Sequence, residues 1–328
     1  MTRNAIAMVL LAGAQVCRPV FGQAPPTVLT VDLENQTRYV YDVVDPLKFA
    51  TDPGVTTPIT PTNFYSQMLI SDIVAVNGQP AKGVQILRET ILRLNPIGGP
   101  GQAISDFGPG AAAADLRWEI LKPDGTQIGI IVAQGFSGNN VLPAPGAALA
   151  ATCCSIAVVG GNGAFLGARG VSGTGASFAP IRGASITEDP SNRRKIGGGK
   201  GQSVIYLIPM TRPEIVTTFH ADLSPVTAAK PAKAGEVLIV RATGLGPTVP
   251  GVNPGQPFPT DAAQQVNSPV AVTVNGLDAG VINSIGWPGL VDTYRVDFRV
   301  PDGVAGGAAA IQLSAAWIAG SSVNIPIQ

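Results

Sequence analysis

The residues best suited to chemistry in this chain are charged side chains that fall inside predicted strands. A charge in such a place has to be paired or has to line a wet cavity, because burying it alone is costly. A guanidinium held inside a barrel could anchor a carboxylate or a phenolate, so these residues indicate a binding site. The strand-borne charges are Arg88, Glu89, Arg117, Glu119, Arg169, Arg182 and Glu188.

Strand alternation decides which of these charges can face an interior together. If Arg88 points inward, Glu89 points outward, whereas Arg117 and Glu119 share a face because they are two residues apart. A surface pair of Arg117 and Glu119 is the simpler interpretation of that couple. Arg169 is the preferred interior residue, because the same alternation places it on the face of Phe165. The predicted ligand-binding set is Arg169, Phe165, Arg88, Arg182 and Trp118.

Other kinds of chemistry find little support. The single histidine, His220, stands apart from any nucleophile motif, so we predict a structural or solvated histidine in a linker. Neither a metal site nor a cofactor is required by the sequence. Gly161 to Gly163 and Gly199 to Gly201 lack the residues that complete nucleotide-binding loops, and both predict turns. The basic triplet Arg193 to Lys195 predicts a solvated loop tip, and docking of an anionic ligand there stays open.

The cysteines cannot form a disulfide framework. Cys153 and Cys154 are adjacent, and Cys17 lies in the first 24 residues. Two reduced, packed thiols and a vicinal or intermolecular bridge both stay open for the adjacent pair. Stability must therefore come from core burial.

Composition indicates an all-β protein of about two domains. Only 13% of the 328 residues are charged, and the chain has 40 Gly and 29 Pro. Many β-branched residues joined by Gly and Pro favour short strands and tight turns over helices. The 21 basic residues balance the 21 acidic ones, which argues against nucleic acid or an anionic membrane surface as partner.

The N-terminus predicts export. Arg3 is followed by the apolar run Ala5 to Val16, with small residues before a cleavage near Gly22 or Ala24. This run is too short to span a bilayer. An uncleaved anchor stays open, whereas the residues before Cys17 do not form a lipobox. We expect a secreted or cell-surface protein.

Strand and turn patterns divide the chain into five segments. Asn77-Gly78 and Pro123-Asp124-Gly125 are strong hairpin turns between alternating strands. About eight strands between residues 66 and 209 are enough to close a small barrel. The predicted segments are a signal peptide (1–24), a leading strand with a proline-rich linker (25–65), a β-barrel (66–208), an interdomain linker (209–233) and a β-sandwich (234–328).

The barrel segment contains a glycine-rich motif with a strand predicted on either side, Ser155 to Val159 and Ala164 to Gly170. The motif comprises Gly160-Gly161-Asn162-Gly163-Ala164-Phe165 and Ala168-Arg169-Gly170. It resembles the signature of dirigent proteins and allene oxide cyclases, in which Thr commonly stands where this chain has Asn162. The resemblance implies an eight-stranded antiparallel, calycin-like barrel with Gly160, Gly161 and Gly163 in its turn. Such barrels hold phenolic radicals or oxygenated fatty acyl compounds and steer their coupling or ring closure.

The C-terminal segment carries a second resemblance. Its residues are Gly235 to Val240, Ala242 to Pro247, Gly255 to Pro257, Tyr294 to Phe298 and Val300-Pro301. They look like an immunoglobulin-like module of secreted acidobacterial proteins. The resemblance implies architecture and location more than chemistry.

Two functions follow as expectations. The first is a secreted barrel that binds a small apolar or phenolic ligand and, if it is an enzyme, acts as a metal-free cyclase, isomerase or coupling guide. The rival is a structural or adhesive surface protein whose sandwich binds a partner or a polysaccharide, and a homo-oligomer fits either function. A hollow interior lined by aromatic residues would favour the first, and an interior filled by Leu, Ile and Phe the second.

Overall fold

The structure is a computed structural model that describes residues 27–41, 64–92, 111–137, 156–175, 181–185 and 187–328. The predicted signal peptide and all three cysteines lie outside the described residues, as does most of the proline-rich linker. In the described part of the chain, no helix is long and apolar enough to cross a membrane.

A closed antiparallel barrel forms the N-terminal domain. Its strands and the short elements beside them are β1 (Thr27–Tyr41), β2 (Phe64–Val76), β3 (Gln79–Pro80), β4 (Lys82–Leu92), β5 (Ala111–Leu121), β6 (Gln127–Ser137), β7 (Ile156–Gly163), β8 (Arg169–Thr174), β9 (Arg182–Ala184), a 3-10 turn (Pro190–Asn192), α1 (Arg193–Ile196) and β10 (Gly199–Ile208). The order β2-β4-β5-β6-β7-β8-β10-β1 closes on itself through the β1–β2 pairing. Within the described residues, this confirms the predicted eight-stranded barrel.

Strand β1 closes the barrel because it pairs with neighbours on both edges. Thr27 to Gln36 runs antiparallel to β10, and Val31 to Tyr41 runs antiparallel to β2. The strand predicted as a leader before residue 66 is therefore one of the eight barrel strands, and the predicted start of the barrel was too late. The sequence pattern was correct for the strand but carried no information on its partners.

The two ends of the barrel differ. Three tight turns, at Asn77-Gly78, Pro123 to Gly125 and Ala164 to Gly167, join strands at one end. Asn77 and Gly78 both have positive φ, 50° and 74°, as the predicted hairpin turn requires. The connections from β1 to β2, from β4 to β5 and from β6 to β7 all leave from the opposite end. We call these the turn end and the open end.

The turn end is filled by a close-packed apolar core. Its fully buried side chains come from strands all around the barrel, because alternate residues of every strand face inward. They include Leu29, Val31, Trp118, Ile120, Ile131, Phe165, Ile205 and Leu207. This half of the interior matches the expectation for a solid barrel.

A second, curled all-β sheet forms the C-terminal domain around its own core. Its strands are β11 (Glu214–His220), β12 (Val237–Thr243), β13 (Thr248–Val249), β14 (Gln265–Val266), β15 (Val270–Val274), β16 (Leu277–Gly286), β17 (Tyr294–Arg299), β18 (Gly307–Ala315), β19 (Ile318–Ala319) and β20 (Val323–Ile327). Strand β11 lies inside the predicted linker and pairs with β12. That part of the linker prediction was wrong, and the immunoglobulin likeness stays a prediction.

The turn between β18 and β19 joins the two domains. Ala316 and Ile318, 1% and 3% exposed, belong to the buried cluster of the barrel. The Trp317 indole N–H donates to Gln79 Oε1 at 3.0 Å, and the Asn267 amide donates to the Gln127 carbonyl at 2.6 Å. The second domain therefore covers the turn end.

Replacing Ile318 by alanine should loosen the barrel itself. Removing a buried isoleucine side chain costs about 2–5 kcal/mol, and this one fills the barrel core. Hydrogen exchange followed by mass spectrometry should show faster exchange in β2 and β6. Ile325→Ala, which empties only the core of the second domain, is the matched control. Equal exchange of the barrel amides in both variants would contradict the shared core.

Candidate functional site

The open half of the barrel interior is lined by polar side chains. Directly paired residues on neighbouring strands point to the same face. Ser71 pairs with Gln85 and Gln85 with Trp118, so all three face the core side with Trp118. Gln67, Glu89 and Ala114 form a second inward row, four residues nearer the open end. We call the space bounded by these two rows the polar chamber.

We call the row of Ser71, Gln85 and Trp118 the deep row, because it lies next to the apolar core. A hydrogen bond links this row to the far side of the interior. Gln85 Nε2 donates to Ser203 Oγ at 3.2 Å. Gln85 lies on β4 and Ser203 on β10, and strands β2 and β1 separate them in the sheet. The bond therefore spans the interior. The deep row and this hydrogen bond together form a polar layer on top of the apolar core, which we call the floor.

Several buried polar atoms in the chamber have no hydrogen-bond partner within the described residues. They are Arg38 Nε, Gln67 Oε1, Ser71 Oγ, Gln85 Oε1 and Trp118 Nε1. Buried polar atoms in folded proteins nearly always have a partner, and leaving one unpaired costs about 1–3 kcal/mol. Five such atoms on one inner wall are hydrogen-bonding groups that a polar molecule or a water could satisfy.

Of the residues that the structure describes, one carboxylate and one guanidinium belong to the chamber. Glu89 is buried at 8% exposure and accepts a hydrogen bond from Gln67 Nε2 at 2.5 Å. Arg38 is paired with the inward-facing Leu69, which places Arg38 on the inner face of β1. The chamber thus combines one positive and one negative side chain with neutral amides.

Several inward side chains at this end of the barrel are small. An eight-stranded barrel has an interior that large side chains just fill, or that holds one small ligand. Leu87 points inward between the two polar rows and still keeps part of its surface exposed. The small inward or interior-facing residues are Ala112, Ala114, Ala133, Ser172, Gly201 and Ser203.

The structure reverses the predicted roles of Arg88 and Glu89. Arg88 faces solvent, with its side chain 63% exposed, and forms an ion pair with Asp115. Glu89 is the inward member, as the alternation rule then demands. Trp118 does face the interior, as expected for a ligand-binding residue. Arg88 was the wrong choice, because alternation defines two faces without saying which one is inside.

Arg169 does not line the interior. Residues Ala164 to Gly167 form a turn, in which Phe165 N–H donates to Asn162 O and Ala168 N–H donates to Phe165 O. The strand predicted over this range was wrong, and alternation does not apply across it. Phe165 is buried in the core, whereas Arg169 is exposed and donates to the Ala168 carbonyl at 2.9 Å.

The glycines of the motif allow the turn to pack closely. Gly160 and Gly161 belong to β7, and Gly163 ends it with a φ of 59°. A Cβ at Gly161 would lie 2.5 Å from Phe165 O and 2.6 Å from Ile130 O. The turn therefore begins after Gly163 and not at Gly161 as predicted. The glycines lack a Cβ and so allow the turn to lie close to β6.

Arg182 lies on the outer wall. It donates to both oxygens of Glu188, at 3.0 and 2.7 Å, and to the Gly197 carbonyl at 2.8 Å. Its strand, β9, runs parallel to β1 outside the ring of eight. Arg182 Nη2 also donates to Thr37 Oγ1 on β1 at 3.4 Å. Arg182 therefore fastens residues 181–185 and 187–198, which we call the strap, to each other and to β1, and it does not reach the chamber.

A buried ion cluster holds the strap to the barrel. Asp72, 8% exposed, accepts from Arg193 Nη2 at 2.6 Å and Arg194 Nη2 at 2.9 Å. Asn35 Nδ2 donates to the same carboxylate at 3.0 Å. Arg193 is only 5% exposed, so the prediction of a solvated basic tip was wrong for this residue, whereas Arg194 and Lys195 are exposed. The Arg193 side chain can be buried here because Asp72 supplies a counter-charge.

The pKa of Asp72 reflects this cluster. Burial acts to raise the pKa, but hydrogen bonds from Arg194, Asn35 and Arg193 outweigh it and hold the pKa below its ordinary value. The carboxylate is therefore charged at neutral pH. Its charge stabilises the folded state above the pKa of an unfolded aspartate, about 3.9.

A cavity of about 350 Å³ lies where the two domains meet. Leu166, Leu245, Phe258, Tyr294 and Ile318 are among its lining residues. Phe258 and Tyr294 are buried, and their ring centroids lie 5.4 Å apart in a tilted arrangement. Burial raises the pKa of Tyr294 to about 12. The phenol stays neutral and donates to Gly246 O.

His220 has a structural position. It is 5% exposed at the end of β11, with Nδ1 2.6 Å from Glu236 Oε1 and Nε2 3.1 Å from Lys230 O. Both ring nitrogens are therefore engaged with the protein. Among the residues that the structure describes, no group of three or more His, Cys, Asp or Glu could hold a metal ion.

Most chamber residues were missed by sequence reasoning. Gln67, Ser71, Gln85 and Arg38 were not singled out, because single polar residues are ordinary in a half-exposed strand. A usable pattern was present: Gln67, Ser71 and Ile73 share one face of β2. That this face is the inner one follows only from the structure, in which Ser71 pairs with Gln85 on β4 and Gln85 pairs with the buried Trp118 on β5.

Comparison with known proteins gives no matching family model, no matching curated protein and no matching solved structure. The dirigent-like and immunoglobulin-like assignments therefore stay predictions based on their motifs.

Asp72→Asn should destabilise the protein at neutral pH and much less in acid. The variant leaves Arg193 buried without its counter-charge, which costs about 3 kcal/mol or more. Because the folded-state pKa is lowered, the advantage of the wild type is complete above about pH 4 and is lost as the pH falls further. Urea unfolding between pH 3 and 7 measures this difference.

The surface pair provides the control for this experiment. Asp115→Asn removes the partner of the exposed Arg88 and should cost about 1 kcal/mol or less. A deficit of Asp72→Asn that stays constant down to pH 3 would contradict a stabilising charge on Asp72.

Proposed function

We propose that this is an exported protein whose barrel binds a small apolar or phenolic molecule in the polar chamber. The observation that carries the proposal is the set of unpartnered buried polar atoms on the chamber wall, between Arg38 and Trp118. Ligand sites are typically apolar cavities with a few placed polar groups, and the chamber combines Leu69, Leu87 and Leu116 with such groups. The molecule enters from the open end, because the second domain covers the turn end.

Any catalysis in the chamber would depend on confinement. A bound molecule held between the floor and the Glu89 row has few conformers, and fixing reacting atoms in one geometry can accelerate a cyclisation or a coupling. Glu89 is the one inward carboxylate among the described residues and is the group that could accept a proton there. This agrees with the motif resemblance to dirigent proteins and allene oxide cyclases.

One observation favours the alternative, a structural or adhesive surface protein. The turn end is packed solid, and the second domain contributes Ala316 and Ile318 to that core, as a rigid two-domain rod would require. The alternative predicts that the open half is filled as tightly as the turn end.

Ala114→Phe separates the two functions. Ala114 faces the chamber, so a phenylalanine there should fill it and abolish binding of the neutral fluorescent probe N-phenyl-1-naphthylamine. In a hollow chamber the melting temperature should change by no more than about 2 °C, whereas overpacking a solid core costs about 1–3 kcal/mol, or several degrees. Probe fluorescence and differential scanning calorimetry give both quantities.

Ala113→Phe is the matched control. Ala113 is the exposed neighbour on the outer face of β5, so its variant should bind the probe as the wild type does. A wild type that binds no probe, or an Ala114→Phe variant that binds it unchanged, would refute binding in the chamber.

A further inference from the structure

The deep row of the chamber offers a donor and an acceptor side by side. Trp118 Nε1–H can only donate, and Gln85 Oε1 can only accept when Gln85 Nε2 is used by Ser203. The Ser71 hydroxyl can do either. Within the described residues, none of these three atoms has another partner, and the residues are 0%, 5% and 0% exposed.

The row is continuous across three strands. Ser71, Gln85 and Trp118 are directly opposite one another on β2, β4 and β5. Opposite residues in an antiparallel pair have Cβ atoms about 4.5–5.5 Å apart. One polar group of a ligand can therefore reach the central Gln85 and either neighbour at the same time.

No charged side chain lies in this row. The two inward charges in the described part of the chain, Arg38 and Glu89, come from positions nearer the open end and have opposite signs. Glu89 is four residues from Gln85, about 13 Å along an extended strand. An anion pushed down to the floor would lose its water without gaining a counter-ion in the row, which costs several kcal/mol.

From this arrangement we propose that the deep row binds the uncharged end of the ligand, a hydroxyl or primary amide that accepts from Trp118 Nε1–H and donates to Gln85 Oε1. The apolar body of the ligand then lies along Leu69, Leu87 and Leu116. This inference rests on the proposed function and names the chemistry of its ligand. It assigns Trp118 and Gln85 as specificity-determining residues.

The test uses three probes of nearly equal size and the wild-type protein. Octan-1-ol donates and accepts, its isomer 1-methoxyheptane only accepts, and octanoate is anionic. Displacement of N-phenyl-1-naphthylamine should show octan-1-ol binding about five- to tenfold more tightly than the ether, since one hydrogen bond is worth about that factor. Octanoate should bind more weakly than octan-1-ol.

Two variants separate the donor from the acceptor. Gln85→Met keeps the length of the side chain but removes the acceptor, so octan-1-ol and the ether should bind equally. Trp118→Phe removes the indole N–H and should weaken both neutral probes about fivefold while leaving their ratio unchanged. Trp287→Phe, in the second domain against Phe219, is the control and should change neither affinity.

The outcomes distinguish this inference from the proposed function. Suppose that the naphthylamine probe binds in the chamber, but that octanoate or 1-methoxyheptane displaces it as well as octan-1-ol does. The deep row then does not select a neutral hydrogen-bond donor. If the naphthylamine probe itself does not bind, the chamber function fails first. A wild-type preference for the alcohol that persists in Gln85→Met would also overturn the assignment.

Discussion

Closure of the barrel through β1 is the constraint on which the rest of the structure depends. Because β1 pairs with β10 along its first half and with β2 along its second, the sheet has no open gap between them. Every strand then has one enclosed face and one outer face. Whether a side chain serves packing, binding or solvent is decided by its position in that alternation, as Arg88 and Glu89 show.

The interior changes character along the barrel axis. At the turn end, Phe165 and the second domain's Ile318 complete an apolar core without unpaired polar groups of their own. Toward the open end, the described inward residues include amides, hydroxyls and one carboxylate beside Leu69, Leu87 and Leu116. Unpaired buried polar atoms are rare in proteins. A cluster of such atoms in one part of the barrel therefore indicates function more strongly than the fold does. The charged residues outside the wall, Asp72 and Arg193 foremost, are explained by fastening the strap.

Much of the fold could be predicted from the sequence, because its evidence is local. Asn77-Gly78 favours a tight turn whatever surrounds it, the apolar run from Met68 to Val76 favours a strand, and the alternation from Val84 to Leu94 favours another. The site could be predicted only in part. Trp118 was identified, but Arg169 was misplaced because a four-residue turn interrupts the strand that alternation assumed. Gln85 and Ser203 meet across the interior from distant parts of the chain, and no local pattern contains that contact.

Binding in the chamber requires that Trp118 faces an interior space able to accept a polar partner. The most direct measurement is the ¹⁵N–¹H spectrum of the three tryptophan side chains, assigned with single Trp→Phe variants, with and without octan-1-ol. The account predicts that the Trp118 indole N–H exchanges measurably with water in the free protein, and that it alone shifts strongly and becomes protected on binding. An indole N–H of Trp118 that is fully protected from the start and unmoved by the alcohol would mean a solid interior, and would contradict the account.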